Sequence, residues 1–302
     1  MSHIWRCLRV KKYYLICLIV ACFIPLRFVH AADLLVDTTW LAKNLTSKHL
    51  AIIDMSDDIQ YERFHIPGAK HLPYSALNGV NKKKVSVSVG SETVMAIMGF
   101  LGIDADKHIV VYDDMGGLHA SRLFWELERI GHKQVSILDG GLVKWVLEGH
   151  RVTAAKPKTV KTTYAPSAQP PKQNLAELDD ISAKRDKNIV LLDVRSKEEY
   201  IGHPRVERSG HIPGAKWWHW EDNVRFDQAF TMKPVKTLQS ELNKLGLTDK
   251  NKPIIAYCRS GHRASHSYFI LRRLGYNNVR LYDASMAEYG QFTKLPLSKG
   301  ME

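Results

Sequence analysis

His65-Ile66-Pro67-Gly68-Ala69-Lys70 recurs letter for letter as His211-Ile212-Pro213-Gly214-Ala215-Lys216. The likeness continues on either side, in the same order. Upstream, Asp54-Met55 with Tyr61 answers Asp193-Val194 with Tyr200. Downstream, Ile109-Val110-Val111-Tyr112 answers Ile254-Ile255-Ala256-Tyr257, and Val135-Ser136-Ile137-Leu138-Asp139 answers Val279-Arg280-Leu281-Tyr282-Asp283. The spacing drifts by a few residues, as loop insertions would make it do. Ordered self-similarity of this kind marks a duplication, and it divides the chain into two halves of ordinary domain size.

Within each half, short apolar runs alternate with segments of helical spacing. Ile189-Val190-Leu191-Leu192-Asp193 and Ile254 to Tyr257 read as buried strands. Leu123 to Leu127 and Tyr268 to Leu274 read as helices, each followed by a glycine (Gly131, Gly275) suited to a C-terminal cap. Strands alternating with helices predict an α/β fold in each half, a mainly parallel sheet flanked by helices. Between the halves, residues 151–174 are rich in Lys, Thr, Pro and Ala, and Pro157, Pro166, Pro170 and Pro171 forbid a regular helix. That stretch is expected to be an extended linker lying over one domain.

The N-terminus opens with Arg6, Arg9, Lys11 and Lys12, continues with an apolar run from Tyr13 to Leu26, and reaches Val29-His30-Ala31. This is the order of a secretory leader, so residues 1–31 are predicted to be a signal peptide cleaved after Ala31. Export, to the bacterial periplasm, follows from it. An uncleaved anchor facing the same compartment is the alternative, although the run is short for a bilayer span and Arg27 interrupts it. A third option is lipidation at Cys22 within Ile19-Val20-Ala21-Cys22, which the apolar sequence after Cys22 opposes. The full chain carries +12, but the leader holds five Arg and Lys and no acid, leaving 38 basic and 31 acidic residues, or +7. Those charges are interspersed, which argues for a solvated surface and against a nucleic-acid platform. Membrane contact is expected only through an uncleaved leader.

Of the four cysteines, Cys7, Cys17 and Cys22 belong to the leader, and only Cys258 remains. The mature chain therefore has no internal disulfide, and a solitary exported thiol is either inert or reactive. Cys258 stands between a strand and a helix expected to begin near Ala264, at the carboxyl end of the strand, where open parallel sheets bind ligands. A helix N-terminus and nearby cations lower a thiol's pKa, and the thiolate is the nucleophile. Cys258-Arg259-Ser260-Gly261-His262-Arg263 supplies two arginines, and Gly261 permits an unusual turn. Its backbone N–H groups are expected to converge on the sulfur as an anion-binding nest.

The repeated H-I-P-G-A motif, Asp193-Val194-Arg195, the C-R-S-G-H-R loop and Leu138-Asp139-Gly140-Gly141 with Trp145 together resemble the tandem-domain rhodaneses, the thiosulfate/3-mercaptopyruvate sulfurtransferase family. The resemblance implies two tandem rhodanese-like domains: residues 32–150 catalytically silent, residues 175–302 catalytic. Asp113 lies where a cysteine would be in the first half, and the Asp113-to-Leu118 loop has no arginine. The implied role of that half is structural and site-forming. The implied reaction moves sulfane sulfur from a small anionic donor such as thiosulfate to cyanide or a thiol, through a persulfide on Cys258, without metal or organic cofactor. The C-x4-R spacing, one residue shorter than in the related phosphatases, favours a single sulfur over a phosphate. Arg259 in place of the small-residue loop of mercaptopyruvate enzymes favours thiosulfate, with mercaptopyruvate the alternative. A non-catalytic persulfide carrier or partner-binding module is the competing class, and a thiol redox sensor a third.

Arg259 and Arg263 are the candidates for holding the donor and stabilising the thiolate, because a guanidinium presents a fork suited to oxyanions. Ser260 and Gly261 complete the substrate-binding loop. His262 is either a proton shuttle or a side chain pointing to water, and the second is expected. Asp193 and Arg195 are expected to form a supporting polar pair near the loop. His65 and His211 occur in both halves, which argues for a folding role. Trp217, Trp218 and Trp220 line a cleft or belong to the core, and Lys82-Lys83-Lys84 reads as a solvated loop.

Overall fold

The structure is a computed structural model that describes residues 33–165, 172–182 and 186–301. The expected leader with its cleavage, anchor and lipidation alternatives, and Cys7, Cys17, Cys22, Pro166, Pro170 and Pro171, lie outside the described residues. Among those described, no helix is long and apolar enough to cross a membrane.

Five parallel strands form the sheet of each half. In the first, the spatial order is Leu35–Val36, Val135–Leu138, His108–Tyr112, Leu50–Asp54, Lys70–His71. The second repeats it with Leu175–Ala176, Val279–Tyr282, Ile254–Tyr257, Val190–Asp193, Lys216–Trp217. Register is kept as well: Asp54 lies opposite Tyr112, and Asp193 opposite Tyr257. The central strands are buried on both faces, so they read as unbroken apolar runs and not as alternating ones. Each feeds a helix, Leu118–Arg129 or His262–Arg273, and each helix is followed by a left-handed glycine, Gly131 or Gly275, as its sequence predicts. His65 and His211 do the same job in both halves. Each stacks on its own tyrosine, Tyr61 or Tyr200, and bonds that tyrosine's carbonyl through Nδ1 at 2.8 Å.

Those two helices pack against one another across the junction of the halves. Phe124 meets Phe269 edge to face at 4.9 Å, and Tyr268 Oη donates to Glu128 at 2.5 Å, which Arg272 also contacts. One continuous apolar core runs through both halves, from Ile53 and Phe124 to Trp218 and Leu281. Each half also sends out a two-stranded hairpin, Asn78–Val80 with Ser86–Ser88 and Val224–Arg225 with Thr231–Met232. Ser88 N donates to Asp283 Oδ2 at 2.6 Å, and Met232 N donates to Asp139 Oδ1 at 2.8 Å. Asp139 and Asp283 are repeat equivalents, so the halves exchange arms. The Lys82-Lys83-Lys84 tip is accordingly not a purely solvated loop: Lys83 pairs with Glu288 at 2.8 Å and lies 4.3 Å over the Phe292 ring. The residues between the halves run over the first one. Thr162 N bonds Gly99 O at 2.9 Å, buried Tyr164 bonds His132 at 2.7 Å, and Asn174 donates to Trp125 O at 3.1 Å.

A further buried tie is ionic. Arg122, 1% exposed, forks onto Asp283, 3% exposed, with Nη1 on Oδ1 and Nη2 3.2 Å from Oδ2. Breaking such a pair from one side leaves an uncompensated buried charge, at a cost of about 3–5 kcal/mol. Arg122→Ala should therefore lower the unfolding free energy by an amount of that order, read as a fall of at least about 1 M in the urea midpoint. Because the core is shared, the wild type should unfold in one cooperative transition, with tryptophan fluorescence and circular dichroism coinciding.

Candidate active site

Cys258 follows the central strand of the second sheet, and the helix begins at His262, two residues before the expected start. His262 and Arg263 thus belong to the first helical turn, and the loop proper is Cys258 to Gly261. Gly261 has φ +79°, and a Cβ there would run into the Asp283 carboxylate and approach Arg122. The ion pair between the halves is therefore also the floor of the Cys258 turn.

A second support sits beneath the turn. Cys258 N and Gly261 N both donate to Ser285 Oγ, at 3.1 and 3.2 Å, and Ser285 in turn donates to Tyr282 O at 2.7 Å. Met286 N and Ala287 N hold the carbonyls of Cys258 and Arg259. The expected cradle is corrected here: two of the loop's amides face a buried hydroxyl and not the sulfur. Ser285 has φ +50°, a conformation costing a non-glycine residue about 1–2 kcal/mol. Its repeat equivalent, Gly141, has the same φ, and a Cβ there would collide with Asp113 O. Ser285 went unnoticed in the sequence, although extending the match of Asp139 with Asp283 by two residues aligns it with Gly141.

The cations are less equal than their spacing implies. Arg263 forks onto Glu199, at 2.6 and 3.0 Å. Burial works against its charge, but the bond to Glu199 and the charges at Cys258 and Glu199 outweigh it and raise its pKa. It lies within electrostatic reach of the thiol while being paired with a carboxylate. Glu199 was missed too, though Ser196-x-x-Glu199 reads as a capping box and forms one. Arg259 is exposed and its guanidinium makes no hydrogen bond or ion pair among the described residues. Ser260 is half-buried beside it, and Cys258 itself is buried, 1% exposed. Asp193 and Arg195 form the expected brace: Arg195 donates to both Asp193 oxygens and, at 2.8 Å, to Gly210 O.

His262 does not point to water. It stacks on Tyr74 at 3.8 Å and on His119 at 5.0 Å, both from the first half. Burial first, and then His119 and the cations Arg122 and Arg263, push its pKa down to about 3, and its buried Nε2 has no hydrogen-bond partner among the described residues. A neutral ring of that kind is no proton shuttle near neutrality. Tyr74 lies close enough to Cys258 to feel its charge. Burial, opposed by Arg122 but aided by Cys258 and Asp283, pushes the Tyr74 phenol up to about 12. Of the tryptophans, Trp218 and Trp220 are core, while half-buried Trp217 donates to Arg195 O at 2.8 Å. Among the described residues, no group of three His, Cys, Asp or Glu side chains is placed to hold a metal ion.

In the first half the same turn is complete in another way. Asp113 Oδ1 accepts from Met115 N and Gly117 N at 2.9 and 2.8 Å, and Oδ2 from His119 N and Ala120 N at 2.7 and 2.9 Å. A nest of four amides is filled by the chain's own carboxylate.

Duplicated parallel sheets, a turn at the carboxyl end of each central strand, and a thiol in one of them agree with the match of the rhodanese-like domain to residues 37–148 and 175–291. The chain belongs to the rhodanese family. It is 34% identical over 293 residues to the sulfur carrier protein TtuD of Thermus thermophilus, covering 89% of this chain and 98% of that one. It is 29% identical over 280 residues to the thiosulfate sulfurtransferase of Corynebacterium glutamicum, covering 88% and 90%. Among solved structures, that of YnjE superposes with a TM-score of 0.77 at 24% identity, over 89% of this chain and 69% of that one. The anaerobic ergothioneine biosynthesis enzyme from Chlorobium limicola gives 0.76 at 22%, over 89% and 71%. These two likenesses establish the fold.

The rhodanese halves share a second buried imidazole, His266, whose Nε2 lies 3.2 Å from Gly116 O and whose pKa burial lowers to about 4. His262 and His266 are neutral when folded but titrate near pH 6.5 when unfolded. Their contribution is whole above pH 6.5 and is lost as the pH falls towards their folded values, at up to ~1.4 kcal/mol per unit for each ring. Melting temperature should drop between pH 6.5 and 4, and His266→Gln should make that decline shallower. Ser285→Gly should keep stability within about 1 kcal/mol, since relief of strain offsets lost hydrogen bonds, while slowing alkylation of Cys258 by iodoacetamide.

Proposed function

We propose that this rhodanese is a sulfurtransferase in which Cys258 carries the sulfur. The Cys258 thiolate attacks the outer sulfur of thiosulfate, the S–S bond of the donor breaks, and sulfite leaves with the bonding electron pair. Cyanide or a thiol then takes the outer sulfur from the persulfide and returns Cys258 as a thiolate. Two half-reactions through one covalent intermediate give ping-pong kinetics. Arg259, exposed and unpaired among the described residues, meets the anionic donor; Arg263, tied to Glu199, adds positive potential near the sulfur.

The observation that carries this reading is the Asp113 nest. The equivalent turn in the first half holds an anion on four backbone N–H groups. Ser285 takes the Gly261 amide in the second half, and the rest of a turn of this type supports a thiolate and then the anionic outer sulfur of a persulfide. The first half, with a carboxylate in place of the thiol, closes the site through Tyr74 and His119 and does no chemistry. Thiosulfate is preferred to mercaptopyruvate because Arg259 occupies the loop. A leader over residues 1–31 would place the protein in the periplasm, and the intact mass of the exported chain tests that directly.

A carrier is the second reading, favoured by the burial of Cys258 and by the name of the Thermus relative. Purified protein given thiosulfate and cyanide separates the two. Many turnovers of thiocyanate support the enzyme, whereas one equivalent of sulfur per chain supports the carrier. Thiosulfate alone should add about 32 Da, one sulfur, to the intact protein. Cys258→Ala should abolish that gain without loss of fold. Arg259→Ala should raise the KM for thiosulfate about tenfold, the scale of one charge-assisted contact. An unmodified mass after thiosulfate treatment would sink both readings.

A further inference from the structure

Between Glu148 and Glu177 the sequence has no acidic residue and five cations, Arg151, Lys156, Lys158, Lys161 and Lys172. A connector of that composition needs no fixed place on a domain. Over residues 159–164, however, this one is pinned to the first half. Thr162 N bonds Gly99 O at 2.9 Å, and Lys70 Nζ donates to Thr159 Oγ1 at 3.3 Å. The approach is backbone against backbone. A Cβ at Gly99 would run into Thr162 O, and one at Gly102 into Val160 O, so only glycine lets the strap lie this close.

Pinning holds two apolar side chains out of the core. Val160 is 85% exposed and Phe100 59%, and Lys161 Nζ lies 4.3 Å over the Phe100 ring. Lys156 is matched by Glu62 at 3.2 Å, whereas exposed Lys158 and Lys161 form no ion pair among the described residues. The position of the strap is equally definite. All five strands of the first sheet are parallel, and the strap crosses the end at which they start. Gly99 and Gly102 lead into His108–Tyr112, and Tyr164 bonds His132 just before Val135–Leu138. The chain enters the fold at this same end, where Asp33 O accepts from Ser136 Oγ, and the expected leader would join it there. Exposed Lys48 and Lys133 stand here too, without a carboxylate among the described residues. Asp104 is shared with Lys107 at 3.9 Å, which leaves Asp33 and Asp106 against four unmatched lysines. Tyr74 and His119, the wall lent to the Cys258 site, follow strands and so belong to the opposite end.

We infer that this end of the first half is a membrane-docking face, with Lys158 and Lys161 on the headgroups of anionic lipids and Val160 and Phe100 dipped between them. Positive charge selects an anionic surface, and the exposed apolar pair selects lipid over a purely ionic polyanion such as nucleic acid. Docked this way, the first half turns the wall of the Cys258 site away from the bilayer.

The test uses residues 32–302, a compact unit with its own core, and sedimentation with vesicles at low salt. Vesicles of phosphatidylglycerol and phosphatidylcholine in equal parts should bind the protein at least about tenfold better than phosphatidylcholine alone. Lys158→Gln with Lys161→Gln should weaken that binding about twenty-five-fold, roughly fivefold for each lysine. Val160→Ser with Phe100→Ser should weaken it about fivefold, a part of what full burial of two such side chains supplies. Melting temperature identifies any variant whose fold has changed, and both lysines are exposed, so that pair should melt with the wild type. Absence of vesicle binding, equal binding to neutral vesicles, or binding indifferent to the lysine pair would overturn the inference. A DNA duplex bound as tightly as the anionic vesicles, with the apolar pair immaterial to both, would overturn it in favour of a general polyanion surface. None of these outcomes bears on the chemistry assigned to Cys258.

Discussion

The buried pair between Arg122 and Asp283 is the constraint around which the molecule is arranged. A guanidinium on the interface helix of the first half and a carboxylate at the end of a strand in the second are both shut away from water. Neither charge is tolerable there alone. Their union fixes where the halves meet, and Gly261 rests directly on the carboxylate, so the same contact fixes the Cys258 turn. Asp283 also takes the amide of Ser88, which brings the first half's hairpin onto the pair. A half with no thiol thereby determines the geometry at the thiol of the other.

Duplication makes the division of labour visible as a set of small chemical differences. Each half has a turn at the end of its central strand, opened by a left-handed glycine at the start of the interface helix. In one, an aspartate fills the amide nest from within, and Gly141 lies against its backbone. In the other, a cysteine stands in place of the aspartate, and Ser285 replaces the glycine to anchor two amides from below. The serine accepts an unfavourable backbone conformation, the kind of strain that persists only where surrounding contacts over-determine it.

Much of the fold was legible because its signals are local or repeated. The H-I-P-G-A motif, the apolar central strands and the glycines after Arg129 and Arg273 each announce themselves within a few residues. The site was legible only in part. Cys258 stands out because it is alone, and Asp193 with Arg195 because their spacing puts them on one turn. What failed were statements about where a side chain goes once another segment arrives. His262 was expected in water because Tyr74 and His119, which cover it, are well over a hundred residues away in the chain. The pairing of Arg263 with Glu199 was not foreseen because that partner is on another helix. The hairpins, two or three residues to a strand, are too short to show periodicity, so the exchange of arms was invisible.

That exchange has a consequence for the history of the chain. Once each half had lent a hairpin to an aspartate of its neighbour, and the two had come to bury one core between them, neither retained a surface fit to face water by itself. Cutting the polypeptide at the connector would yield two fragments still obliged to find each other, not two independent proteins. The half without a thiol is thus held in place by topology.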